Sequence, residues 1–262
     1  MEERNIREFA DRGFTILRNA LSLEELDALV EEADTLANYL MDEGFDLVND
    51  LGCIVEPLTC GYLDAPENDR YKTDEDAYRE RRDSILLHGN IRVSDILLSK
   101  VAEFAAQLLD TSNVYLLNEQ YIIKPPRTAK TSRFAWHRDS DYLEQELQQK
   151  PTVACWIALD PVDESNGTIL IQDAASSINV PANSIVFMSN RLVHKSAGNA
   201  SNRFRRVFMP QYSAKPLTRN AAPVGLAVPC TCRAGAIAPT YPNVTTCEGE
   251  MIGRPECRTN TG

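Results

Sequence analysis

Apolar positions recur at helical spacing near the start of the chain and at strand spacing in its second half. A short helix is expected over residues 3–10, leading into a strand over 14–17. Ser22 with Glu25 three residues later forms a capping box, in which each side chain satisfies a backbone N–H of the first helical turn. The apolar face of that second helix follows at Leu26, Leu29, Val30, Ala33, Ala37 and Leu40, and Gly44 stops it. Residues 45–75 have no periodicity and carry Gly, Pro, Asn and Asp, which predicts a long loop of the kind that forms lids and binding surfaces. A charged helical segment follows around 74–82, and a better amphipathic helix starts after Ser94 and runs to about 109.

From Val114 the pattern changes to short strands divided by turn residues. They are expected over 114–123, 132–138, 152–159, 168–172, 184–188 and 204–212. Helices at one end of the chain and strands at the other predict a mainly β, α+β architecture: a sandwich or barrel of antiparallel strands braced by helices. The tail from about Leu217 is rich in Pro, Gly and Thr and is expected to wrap the surface without regular structure. With no repeat and no composition break, the chain reads as one domain over 1–262: bracing helices mostly over 1–110, a β core over about 114–213 and an irregular tail over about 217–262.

Composition narrows the function. A net charge of -11 argues against a general nucleic-acid binder, because neutralising phosphates needs an excess of Lys and Arg. The cations are nevertheless clustered, at Lys124, Arg127, Lys130, Arg133 and Arg138 and again at Arg203, Arg205 and Arg206. Such clusters either solvate a surface or attract a small anion. No apolar run approaches a membrane span, the start does not read as a secretory signal, and the last residues are not a peroxisomal address, so a cytoplasmic protein with reduced thiols is expected. Cys230, Cys232, Cys247 and Cys257 crowd the tail without the paired C-x-x-C spacing of a zinc ribbon, so disulfides formed during handling or buried thiols are the simpler expectations. The apolar face of the helix after Ser94 can serve a core or a homodimer.

Chemistry concentrates in His137-Arg138-Asp139, His194 and Arg205, which use two of the three histidines in the chain. On a strand, positions i and i+2 point to one face, so His137 and Asp139 can reach one metal ion, with His194 arriving from a later strand. Two imidazoles and one carboxylate suit Fe(II) and leave three coordination positions open. Arg205, eleven residues past His194, offers a planar guanidinium for the far carboxylate of a keto acid. Strand alternation turns Arg206 away from Arg205. His88, in "LLHGN", reads as a turn residue.

The neighbours of these residues carry a family likeness. "FADRGFTILRNALSLEELDAL", "IIKPPRTAKTSRFAWHRD", "CWIALDPVDESNGTILI" and "NSIVFMSNRLVHKSAGNASNRFRRVFMPQYS" occur in that order. Together they resemble the phytanoyl-CoA dioxygenase family of Fe(II)/2-oxoglutarate oxygenases over most of residues 7–213. The resemblance implies a double-stranded β-helix, also called a jelly roll, with His137, Asp139 and His194 as catalytic iron ligands. It implies Arg205 and Ser196 as partners of the distal carboxylate of 2-oxoglutarate, and Gln120 and Trp156 as pocket residues. Read alone, Trp156 fits core packing as well, and Gln120 fits a solvent-facing strand position. Where family members read Pro-Gly-Ser-His, this chain has Gln172-Asp173-Ala174-Ala175-Ser176, which argues for a different substrate.

The chemistry implied is oxidation of a small organic molecule by O2, with 2-oxoglutarate converted to succinate and CO2 and ascorbate added in assays. Hydroxylation, desaturation and ring formation all fit, as does a place in secondary metabolism, and the carboxylate of Asp139 disfavours chlorination. Two other readings remain at this level: a catalytically silent β-barrel that binds a small anion or a partner protein, and a cupin-type metal enzyme that needs no keto acid. Specificity is expected in segments 45–75 and 140–150 and in the tail.

Overall fold

A computed structural model describes residues 1–64, 69–86, 91–172 and 177–230. Its helices are α1 (Glu3–Arg12), α2 (Leu23–Asp42), α3 (Glu75–Asp83), α4 (Val93–Asp95) and α5 (Ala102–Leu108), the last two joined by a π-helical stretch over Ile96–Val101. Its strands are β1 (Phe14–Arg18), β2 (Ile54–Val55), β3 (Val114–Lys124), β4 (Phe134–His137), β5 (Thr152–Ala158), β6 (Ile169–Ile171), β7 (Ser177–Ile178), β8 (Ser184–Ser189), β9 (His194–Ser196), β10 (Arg205–Ser213), β11 (Thr218–Arg219), β12 (Ala222–Pro223) and β13 (Val228–Cys230).

The major sheet runs β1-β8-β5-β10-β3-β13, with β2 added beside β3, and the minor sheet runs β4-β9-β6-β7. All pairings within the two sheets are antiparallel. Two antiparallel sheets facing one another, braced on one side by helices, make the sandwich that the pattern predicted and the jelly-roll core that the family resemblance implied.

Strand β5 shows how sequence builds this sandwich. All of its residues are buried, because both faces of the major sheet are covered. Val153, Cys155 and Ile157 pack with Leu29, Leu36, Leu97 and Val101 of the helices. Ala154, Trp156 and Ala158 point the other way, toward Ile169, Ile171 and Ile178 of the minor sheet. Strand β3 alternates likewise: Tyr121 and Ile123 join the helical cluster, whereas Asn118, Gln120 and Ile122 face the cavity between the sheets. Each fully buried Leu or Ile contributes about 1.5–3 kcal/mol, so this two-sided burial fixes the strand register.

The predicted α2 is present with its capping box: Ser22 Oγ accepts from Glu25 N and Glu25 Oε2 accepts from Ser22 N. Three expectations need correction. The stretch over 45–75 is not loop throughout, because Ile54 and Val55 pair with Ile122 and Tyr121 on the edge of β3. The tail does not merely wrap the surface. Val228–Cys230 joins the major sheet against β3, and β11 and β12 form a hairpin before it; three-residue strands are too short to show a period. The helix after Ser94 starts at Val93, and its apolar face (Leu97, Leu98, Val101, Ala105) is spent on the core of the same chain, which removes the feature that suggested a homodimer. Of the tail cysteines only Cys230 lies within the described residues, where it is a buried thiol that donates to Val228 O; His88 and most of the 172–176 segment lie outside them. Among the described residues, no helix is long and apolar enough to cross a membrane.

Candidate active site

His137 closes β4 and His194 opens β9, and the two are direct partners in that antiparallel pair. Pairing alone therefore brings the imidazoles together, with ring centroids 4.4 Å apart. Asp139 arrives differently from the expected strand alternation. The strand ends at His137, and Asp139 opens a short 3-10 turn over Asp139–Tyr142. That turn is held by Ser140 N donating to Asn190 O at 3.0 Å and Arg138 N donating to Asp141 Oδ2 at 2.8 Å. Asp139 Oδ1 then lies 3.8 Å from His137 Nε2 and 3.7 Å from His194 Nε2. One ligand atom from each of the three residues falls within 4.8 Å of the others.

The surroundings prepare these atoms for a cation. His137 Nδ1 is 2.8 Å from Ala135 O, and His194 Nδ1 is 3.1 Å from Leu192 O. Each ring thus repeats one local contact, donating Nδ1–H to the carbonyl two residues back, which leaves the Nε2 lone pair facing inward. Gln211 Nε2 donates to Asp139 Oδ2 at 3.3 Å and so turns Oδ1 toward the imidazoles. Burial raises the Asp139 carboxyl above its ordinary range and lowers His194, which keeps that imidazole neutral and able to ligate.

A cavity of about 420 Å³ opens onto these residues, a size suited to a cosubstrate with a small molecule. Its depth is polar. Arg205 is fully buried at the start of β10; its Nη2 donates to Gly167 O at 3.1 Å and Ser196 Oγ at 3.5 Å, while Nε and Nη1 have no hydrogen-bond partner among the described residues. Burial pulls this guanidinium down to about 10, so it stays charged at neutral pH. Trp156 lies under it, ring centroid 5.5 Å from Cζ, and both packs in the core and lines the cavity. Ser196 and Gln120 line the same cavity. Arg206 points outward to Asp160 and Asp34, as alternation required.

Gly167, in the Asn-Gly turn, must be glycine. Its φ is 99°, and a Cβ there would stand 2.7 Å from Ala197 O, 3.1 Å from Lys124 Cδ and 3.5 Å from Arg205 Nη2.

The outer cavity is different. Leu117, Leu143 and Val224 form an apolar wall, Asn118 and Gln211 supply amides, and Glu56 places a carboxylate at the exposed rim. Tyr142 sets its ring edge-on to His137, 5.5 Å between centroids, and is 75% exposed. Glu56, Tyr142, Leu143 and Val224 come from the three segments where specificity is expected, whereas Leu117, Asn118 and Gln211 come from β3 and β10 and were not foreseen. Gln211 was within reach, since it continues the inward alternation of Arg205, Val207 and Met209; Glu56 and Tyr142 sit where no periodicity speaks for them. None of the basic cluster is among the residues that line the cavity: Arg127, Lys130, Arg133 and Arg138 are exposed, and Lys124 is buried behind the lining, beside Arg205 and Ser196.

The sequence model of the phytanoyl-CoA dioxygenase (PhyH) family matches residues 9–171. The chain belongs to the phytanoyl-CoA dioxygenase family. It is accordingly a non-haem iron oxygenase that uses 2-oxoglutarate and O2. The match covers His137 and Asp139, while His194, Ser196 and Arg205 lie beyond it. No curated protein sequence matches the chain. Solved structures share the fold of this PhyH-family chain. AviO1 from Streptomyces viridochromogenes Tue57 is 22% identical, with 85% of this chain and 96% of that one covered and a TM-score of 0.54. SnoK, a non-haem α-ketoglutarate-dependent carbocyclase from nogalamycin biosynthesis, is 15% identical over 85% and 87%, with a TM-score of 0.59. EctD from S. alaskensis, solved with 2-oxoglutarate and 5-hydroxyectoine, is 15% identical over 87% of each chain, also with a TM-score of 0.59.

Proposed function

We propose that the chain is a single oxygenase domain in which His137, Asp139 and His194 hold Fe(II) and Arg205, with Ser196, holds the distal carboxylate of 2-oxoglutarate. Its reaction is oxidation of a small organic substrate by hydroxylation, desaturation or ring formation. One observation carries this reading: three side-chain atoms able to hold a metal ion converge in the cavity that also receives a buried guanidinium with two nitrogens unpartnered among the described residues. The donor set is right for Fe(II), and orphaned buried N–H groups call for an anion.

Bound iron with 2-oxoglutarate and O2 supplies the oxidant for removing hydrogen from an unactivated carbon, and succinate and CO2 leave. The residues of the chain supply placement. The carbonyls of Ala135 and Leu192 fix the tautomers of the ligating rings, and Gln211 fixes the carboxylate. Arg205 sets the orientation of the cosubstrate from its far end, with Gln120 and Trp156 along its flank. Because Asp139 keeps a carboxylate in the ligand set, oxygen insertion or dehydrogenation is favoured over chlorination.

The outer cavity points to an uncharged substrate with an apolar skeleton and hydrogen-bonding groups, fitted between the Leu117–Leu143–Val224 wall and the amides of Asn118 and Gln211. An acyl-CoA thioester would want cations at the rim, where the described residues present Glu56 instead. The resemblance in fold to SnoK, a carbocyclase from nogalamycin biosynthesis, supports a place in secondary metabolism.

The test is succinate release with Fe(II), ascorbate and 2-oxoglutarate, with and without panels of neutral polycyclic and amino-acid substrates. Turnover that requires His194 and Arg205 is expected. A silent barrel would give no succinate, and a metal enzyme without a keto acid would be indifferent to Arg205→Met.

A further inference from the structure

Lys124 closes β3 directly opposite Arg205 on β10, so two cations face each other as antiparallel partners. Both are 0% exposed. Like charges so placed repel, and burial magnifies the effect. Among the described residues neither forms an ion pair, and the carboxylate that acts on Arg205 from a distance, Asp160, is already taken by Arg206.

The hydrogen bonds of Lys124 count its protons. Nζ donates to Ser196 Oγ and to Ala197 O. An amine has two hydrogens and both are then used; an ammonium has a third, for which the described residues provide no acceptor. The groups packed around it come from every side: Arg205 on β10, Ser196 on β9, the Gly167 turn, the Phe134 ring on β4 with its centroid 5.0 Å from Nζ, and the Cys53 thiol before β2. Of these only Arg205 and Cys53 titrate. Burial first and Arg205 second bring Lys124 down to about 6.

We propose that Lys124 is a proton-switched anchor for 2-oxoglutarate: neutral in the empty pocket, it takes up a proton as the distal carboxylate arrives beside Arg205, and the resulting ammonium shares that carboxylate. The proton comes from solvent to the Nζ lone pair, and no other bond forms or breaks. When succinate leaves, carrying the same carboxylate, the proton returns to solvent. This rests on the reading of Arg205 given above. The sign follows from linkage: the complex binds one proton more than the free enzyme, so affinity for 2-oxoglutarate falls as pH rises above about 6 and is flat below it.

Calorimetry of 2-oxoglutarate binding to the anaerobic Fe(II) enzyme, near pH 7.5 in two buffers of different ionisation enthalpy, counts the proton directly. About one proton taken up per cosubstrate is expected in the native enzyme, with Kd rising roughly tenfold per pH unit between about pH 6.5 and 8.5. Lys124→Met should take up none and lose the pH slope. Lys124→Arg, permanently charged, should also take up none while keeping the affinity above that of Lys124→Met. Absence of proton uptake by the native enzyme, or equal uptake by Lys124→Met, overturns the proposal, and the native measurement stands even where a variant fails to fold. Arg205→Met separates the two readings. If it binds 2-oxoglutarate as tightly as the native enzyme, the assignment of Arg205 fails; if it loses binding while the native enzyme takes up no proton, only the role of Lys124 fails.

Discussion

On the helix side of β3, Glu119 and Tyr121 meet Arg82, Glu32 and Tyr78; on its other side, Lys124 meets Arg205 and Ser196. Lys124 and Arg205, like every member of the first group, are buried, and opposite faces of one strand contribute to the two groups. The first is closed. Arg82 donates from Nε to Glu119 at 2.8 Å and from Nη1 to Glu32 at 2.6 Å, Tyr121 donates to Glu32 at 2.6 Å, and Tyr78 donates to Glu119 at 2.7 Å. The second is open: a guanidinium beside a lysine amine, with no carboxylate paired to either and two guanidinium nitrogens without an acceptor among the described residues. A buried charge that is paired on all sides holds elements in one arrangement, here α2 and α3 against β3. A buried charge left unpaired raises the energy of the empty protein and lowers it again when an anion enters. Pairing, more than burial, therefore separates scaffold from site.

Substitutions on the two sides should divide accordingly. Arg82→Met leaves two carboxylates buried without a cation and should cost about 3–5 kcal/mol of stability in denaturant unfolding, with 2-oxoglutarate affinity of the folded fraction unchanged. Arg205→Met removes an unpaired cation and should do the reverse: stability equal to or above native, with cosubstrate affinity lower by about 2–5 kcal/mol, roughly thirty- to several-thousand-fold. A large loss of stability in Arg205→Met would break the comparison. Tyr121→Phe deletes one hydrogen bond to a buried carboxylate and should cost about 1.5–3 kcal/mol of stability, seen as a lower unfolding midpoint with unchanged turnover. The smallest effect sharpens the boundary of the site: Gln211→Ala should weaken iron binding about tenfold through the freed Asp139 oxygen, measured by metal titration, and leave the unfolding midpoint in place.

The sequence exposes the two sides unequally. Period-two alternation places Arg205 inward and Arg206 outward, and the Ser22 capping box marks α2, because both signals are local. The approach of His194 to His137 needs a strand pairing that spacing suggests and family likeness supports. The Arg82 network is invisible in one dimension: its partners lie 37 and 50 residues away, and a charged helix reads as a solvated one until its neighbours are known. Lys124 was seen as one of five clustered cations; only its register opposite Arg205 separates it from the four that face solvent. Strand β13 escaped because three residues cannot declare a period, and the π-helical turn over Ile96–Val101 because hydrophobic spacing barely distinguishes it from an α-helix.

Arg206 lends a second meaning to the outward face of β10. Its backbone N–H and side chain hold Asp160 at 2.7–3.0 Å, and Nη1 holds Asp34 on α2 at 2.7 Å. Two arginines in succession make this strand prone to a particular error, since a slip by one residue would still present a guanidinium to the interior. With Arg206 clamped from outside, that mistake carries the loss of two ion pairs, so the acids at 34 and 160 act as proofreaders of a pocket neither of them touches.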